Sequence, residues 1–226
     1  ALEQAQLQHR NTPPLALDGT DSALPDKADS VPAAVVADEL FTAKLAALME
    51  AGRAFQTLPI TSFRMGRWDL HRNRWPLLAA AGILCDASVR PLHCAATSLQ
   101  GPDHFDAPAN PYWVNTGHGK IFEIPLTVTP LVPPLPGLLR GLPAPLGAKV
   151  RASLKNWGAL ALLPVYHPLW AMCAITRLYA ARGGQVLSLT WHSSEMMPGG
   201  APHMPDGRAV ERFTGKLGAW LNWLHR

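Results

Sequence analysis

Four times along this chain a short apolar run ends on a single polar or ionisable side chain. Ile60-Thr61-Ser62-Phe63 runs into Arg64, Ile83-Leu84-Cys85 into Asp86, Ile121-Phe122 into Glu123, and Gln185-Val186-Leu187-Ser188-Leu189 runs on through Thr190-Trp191 to His192. Segments with helical periodicity stand between these runs. Strand alternating with helix is the pattern of a mainly parallel α/β sheet or barrel with right-handed crossovers. In such folds the chemistry gathers where strands end. The pattern therefore predicts strands near 60–64, 83–87, 121–127 and 185–191, with Arg64, Asp86 and His192 converging on one rim.

The intervening segments fill in the rest. Residues 35–55 carry Leu40, Ala43, Leu45 and Leu48 at helical spacing, with Ser30 and Pro32 suited to the helix start. Trp75 to Ala81 predicts a helix closed by Gly82. Residues 90–120, rich in Pro, Gly and Asn, read as a long surface insertion, and loops of that length are uncommon unless functional. A Pro-rich segment reaches Pro145, then helices are expected at 148–156 and 167–181, stopped by Gly183-Gly184. A last helix over 207–224, with Asp206 at its start, turns Val210, Phe213, Leu217, Trp220 and Leu221 inward. The 226 residues suit one domain without internal repeats.

Composition narrows the class. Apolar residues make up 48% and charged residues 16%, which is globular. The formal charge of +4 is spread without a Lys/Arg run, so nucleic acid is not the expected partner. Cys85, Cys94 and Cys173 are odd in number and not spaced for metal, so they read as buried thiols. Pro164, His167 and Pro168 interrupt the one membrane-length stretch, Trp157 to Ile175, which predicts a buried helix after a turn and no stable span.

Several short motifs stand in a familiar order. Phe63-Arg64-Met65-Gly66-Arg67-Trp68, Cys85-Asp86-Ala87-Ser88-Val89-Arg90-Pro91 and His192-Ser193-Ser194 with Pro198-Gly199-Gly200 are three of them. Gly101-Pro102-Asp103, Pro111-Tyr112-Trp113, Glu123-Ile124-Pro125-Leu126-Thr127 and Asn11-Thr12-Pro13-Pro14 are the others. Together they resemble the NodB-type polysaccharide deacetylases, and within them the WalW-like subgroup found with glycan-biosynthesis genes. The resemblance covers nearly the whole chain. It implies a deformed, incomplete (β/α) barrel that hydrolyses acetyl groups on a carbohydrate or glycan precursor with a divalent metal, zinc by expectation.

The resemblance also assigns roles. His192 is the acid that protonates the departing amine. Arg64 orients the catalytic base, and Asp86 positions the histidine. Trp191, Trp68, Tyr112 and Trp113 meet the carbohydrate. His9 is the metal ligand nearest the expected place, one position late, where Gln8 stands at the expected one. No Asp-Asp pair, the family's first motif, occurs in the sequence, and Asp38-Glu39 falls within a helix. No His-x-x-x-His exists among the nine histidines. The expectation is a chain lacking its first strand, weak in zinc binding and in turnover as it stands, or else a catalytically dead carbohydrate-binding or scaffold relative. A serine hydrolase using Ser193 or Ser194 is set aside for want of Gly-x-Ser-x-Gly. With no disulfide framework, and with a resemblance to a subgroup found with glycan-biosynthesis genes, the expected compartment is the cytoplasm; Ala1–Leu7 does not read as a signal peptide.

Overall fold

An apolar stripe at four-residue spacing builds the first helix. In α1 (Asp38–Arg53), Phe41 and Leu45 are buried and Met49 packs beside them, all on one face. That stripe keeps Leu45 of the expected one, whereas Leu40 and Leu48 face outward, 50% and 60% exposed. The computed structural model describes residues 36–94, 102–143 and 145–226, which belong to a compact unit spanning 32–226. His9, Gln8, the Asn11–Pro14 motif and Ser30 lie outside the described residues.

Three short strands carry the parallel core. β1 (Ser62–Phe63) pairs in parallel with β2 (Cys85–Asp86), joined by α2 (Trp75–Ala80). Gly82 closes α2 with φ +83°, the left-handed conformation that a side chain disfavours. β3 (Tyr112–Thr116) and β4 (Gly119–Glu123) form an antiparallel hairpin, and β4 runs parallel to β2, giving the order β1-β2-β4-β3. The hairpin corrects the reading of 90–120 as loop throughout. Tyr112-Trp113-Val114 is strand-forming sequence, and the Trp113 ring lies 4.9 Å from that of Phe122 on the partner strand.

A second sheet follows. β5 (Val128–Pro130) pairs antiparallel with β6 (Ala159–Ala161), and between them lie α3 (Leu135–Arg140) and α4 (Leu146–Trp157). α3 grows from the Pro-rich segment, because Pro136 sits in the first turn, where no intrahelical N–H is needed. β6 occupies part of the stretch read as buried helix, and the helix itself, α5 (Leu169–Ala181), starts only after Pro168. Asp206 caps α6 (Gly207–Leu224) by accepting from the Ala209 amide at 2.8 Å. Trp220 and Phe213 are buried, while Leu221 is 58% exposed and so leaves the expected apolar face.

Residues 185–191 form no strand, contrary to expectation. They run extended beside Thr127, whose N–H donates to the Ser188 carbonyl at 3.0 Å. The return bond goes from the Ser188 N–H to the Thr127 side-chain Oγ1 at 2.8 Å, so no backbone ladder propagates. The fold is mixed α/β. Its core runs from α1, α2 and the first sheet, through the β5–β6 layer, to α5 and α6. No helix among the described residues is long and apolar enough to cross a membrane.

Candidate functional site

The extended segment ends at His192, on the wall of a cleft of about 600 Å³. Directly after it, a 3-10 turn over Ser193–Met196 brings Glu195 back towards the histidine. One Glu195 oxygen accepts from the His192 backbone N–H at 2.8 Å, and the other lies 3.3 Å from His192 Nδ1. The same second oxygen is 3.1 Å from His203 Nε2. Glu195 is 3% exposed, whereas the His192 side chain is 82% exposed. A buried carboxylate thus fixes an accessible imidazole and leaves its Nε2 without a hydrogen bond among the described residues. The helix-start pattern His-x-x-Glu was visible in the sequence, yet Glu195 received no role there.

Arg64, Trp68 and Arg90 line the same cleft, and Trp191 precedes His192 in its lining. The Arg64 and Arg90 guanidinium carbons lie 5.9 and 5.1 Å from the centre of the Trp68 ring. Burial pulls the pKa of both arginines down, with Asp86 and Glu123 opposing the shift at Arg64. Trp191 meets Phe213 edge-on at 6.2 Å, which anchors it from behind. Backbone strain is concentrated here. Arg67 and Trp68, adjacent in the wall, have φ of 58° and 55°, and nearby Leu92 has 57°. Such conformations cost side-chain-bearing residues on the order of 1 kcal/mol each and cluster at functional sites. Arg67→Gly is therefore expected to raise stability by about 0.5–1 kcal/mol. Thermal unfolding checks it, and an unchanged or lower midpoint would show that the left-handed turn carries no penalty.

Asp86 does not reach His192's side of the cleft, and the expected pairing of the two is corrected. Asp86 is fully buried and accepts from Trp75 Nε1 at 2.9 Å and from the Ser88 hydroxyl. The parallel register sets Asp86 beside Glu123, which is also fully buried and accepts from the Val89 N–H at 3.1 Å. Burial first, and then the neighbouring Asp86 charge and hydrogen bond, push the Glu123 pKa up to about 10. Glu123 Oε2 finds no donor while both acids are ionised. A proton on Glu123 resolves this, because the acid then donates to Asp86. Glu123 thus holds its proton beside Asp86, near enough to Arg64 to bear on its charge.

Of the sequence-derived site residues, the cleft collects Arg64, Trp68, Trp191 and His192. Tyr112 and Trp113 lie on the edge strand β3 and do not line it. Tyr112 stands opposite Glu123, where burial and that acid raise its pKa, and Trp113 is 62% exposed. The cleft adds Arg67, Arg90, His93 and Lys155, which no sequence spacing had joined. Among the described residues no three His, Cys, Asp or Glu side chains gather to hold a metal ion. Glu195 is engaged by two rings, and Asp86 and Glu123 are sealed against each other. These groups do not fit a zinc site. Comparison with protein-family models, with curated proteins and with solved structures returns no match for this chain.

Proposed function

We propose that this chain is a NodB-type carbohydrate deacetylase, built on a deformed, incomplete (β/α) barrel and hydrolysing acetyl groups on a glycan precursor. The observation that carries the reading is the histidine expected to act as the acid, accessible in a cleft and held by a buried carboxylate. Arg64 and His192 are far apart in sequence, yet they line the same cavity.

In this reading His192 gives a proton from Nε2 to the departing amine nitrogen as the carbon–nitrogen bond breaks. Glu195, paired with Nδ1, holds the ring's orientation and stabilises the imidazolium before transfer. Glu195 thereby takes the positioning role expected of Asp86. Arg64 lies close enough to the Asp86–Glu123 pair to feel its charge, and it lines the cleft as a cation. Trp68 and Trp191 offer apolar faces for a sugar ring. The divalent metal that the resemblance implies belongs to the same proposal, and none of these steps is routed through it. The cytoplasmic setting belongs to the same proposal, in keeping with free thiols at Cys85, Cys94 and Cys173.

The test is acetate release from acetylated chito-oligosaccharides, with added zinc, by the full gene product. His192→Ala is expected to lower kcat by about a hundredfold or more. Glu195→Ala is expected to cost on the order of tenfold or more, because a free ring samples unproductive orientations. Oligosaccharide binding without release would favour the non-catalytic carbohydrate-binding reading. Neither binding nor release would overturn both.

A further inference from the structure

The cleft holds more positive charge than a neutral sugar requires. Arg64, Arg67, Arg90 and Lys155 all line it, and none makes an ion pair among the described residues. Its two carboxylates are already engaged. Asp69 faces His71 at 3.6 Å, and Glu195 serves His192 and His203. Two further polar atoms of the lining residues, Trp68 Nε1 and His93 Nδ1, are buried with no hydrogen-bond partner. His93 is 8% exposed, and burial followed by the Arg90 charge lowers its pKa to about 4. At neutral pH it is an uncharged ring able to donate from Nδ1. Buried polar groups without partners cost stability unless a ligand atom completes them.

We propose that the cleft binds a phosphate-bearing carbohydrate, with its phosphate or diphosphate ester among Arg67, Arg90 and Lys155 against Trp68, and its sugar reaching towards His192. The inference rests on the deacetylase reading for the sugar end and on the cleft's charge for the anionic end. Guanidinium forks match phosphate oxygens two at a time, and the ammonium of Lys155 adds a point charge. Several cations facing no free carboxylate suit a multiply charged ester better than a single negative charge. A cleft of about 600 Å³ has room for a sugar together with one or two phosphates. The strained Arg67–Trp68 turn is what brings a cation and an indole to the same wall.

Calorimetric titration of the full gene product tests this with N-acetylglucosamine, its 1-phosphate, UDP-N-acetylglucosamine, glucuronic acid and a neutral chito-oligosaccharide. The 1-phosphate is expected to bind at least tenfold tighter than the free sugar, and its affinity should fall as salt rises. UDP-N-acetylglucosamine tighter than the 1-phosphate would identify the diphosphate as the group read. Arg67→Ala with Lys155→Ala, both at exposed positions, should weaken the phosphate esters at least tenfold and the neutral oligosaccharide less than twofold. The paired Arg67→Lys, Lys155→Arg variant should recover most of that loss. Equal binding of free and phosphorylated sugar, or no effect of the double alanine variant, would overturn the proposal. Glucuronic acid binding as tightly as the 1-phosphate would overturn it too, by assigning the charge to a carboxylated sugar. Phosphate-dependent binding without acetate release would sink the hydrolase and leave this inference standing. Acetate release from neutral oligosaccharides without phosphate preference would do the reverse.

Discussion

Raising the pH from 7.5 to 8.5 is expected to destabilise the folded chain by about 1 kcal/mol, approaching the linkage value of ~1.4 kcal/mol per pH unit for one proton. Glu123 is the source. Its folded pKa is raised to about 10, while an unfolded carboxyl group titrates near its ordinary value of 4.5. Between those values the folded state holds one proton more than the unfolded state. Unfolding releases that proton, so each rise in pH favours unfolding. Below about 6.5 a second pair acts in the opposite sense. His93 and His104 have folded pKa values lowered to about 4, chiefly by burial. The unfolded chain then takes up protons that the folded one refuses, and two histidines outweigh one acid. Stability should peak near pH 6.5–7 and fall on both sides. Glu123→Gln keeps an acceptor for the Val89 N–H and a donor for Asp86, and it should flatten the alkaline limb alone. Denaturant unfolding at a series of pH values checks this. An alkaline limb of equal slope in the variant would place the bound proton elsewhere.

Trp220→Ala is expected to cost about 3–5 kcal/mol, within the range for deleting a buried aromatic side chain. Trp220 is 1% exposed and packs with Leu162, Met172 and Ile175 where α6 meets α5. Its Nε1–H donates to the Thr176 hydroxyl at 3.2 Å, so the deletion also removes one hydrogen bond from a buried hydroxyl, which keeps its own donation to the Met172 carbonyl at 2.8 Å. Against a total stability of about 5–15 kcal/mol the loss is large. The thermal midpoint should fall by on the order of 10 °C in a unit of this size. Leu221→Ala, one residue on but exposed, should move stability by less than about 0.5 kcal/mol. Similar losses at both positions would mean that α6 presents a different face to the core.

The sequence made the helices legible because their apolar spacing is local. The expected limits of α6 match the observed helix, and Gly82 and Gly183 end their helices at positive φ as glycine allows. Strand ends at Arg64, Asp86 and Glu123 were equally readable, since each short run follows closely on a breaker, Pro59, Gly82 or Gly119. What escaped was set by partners distant in the chain. The β3–β4 hairpin depends on Trp113 meeting Phe122, and residues 185–191 fail as a strand because a threonine side chain replaces a backbone acceptor. The cleft's cations escaped for the same reason. Arg67, Arg90 and Lys155 stand 23 and 65 residues apart in turn, and only the fold brings them to one cleft. Asp86 was misassigned because sequence order says nothing of which way a strand-end side chain turns, whereas Glu195 lay three residues from the histidine it holds.

The attachment of residues 185–191 has a consequence for exchange of backbone hydrogens with solvent. The Gln185 amide donates to the Asn110 side chain at 2.9 Å and the Ser188 amide to the Thr127 side chain at 2.8 Å. Two side chains therefore do the work that a continuous ladder does elsewhere in the sheet. Amides held by side-chain acceptors exchange through small local openings, without waiting for the whole domain to unfold. The segment leading to His192 thus belongs to the fast-exchanging part of the molecule, although Leu187 and Leu189 pack against the core. The acid group rides on a tether clasped at two points, and its supply of orientation comes from Glu195 after the tether ends.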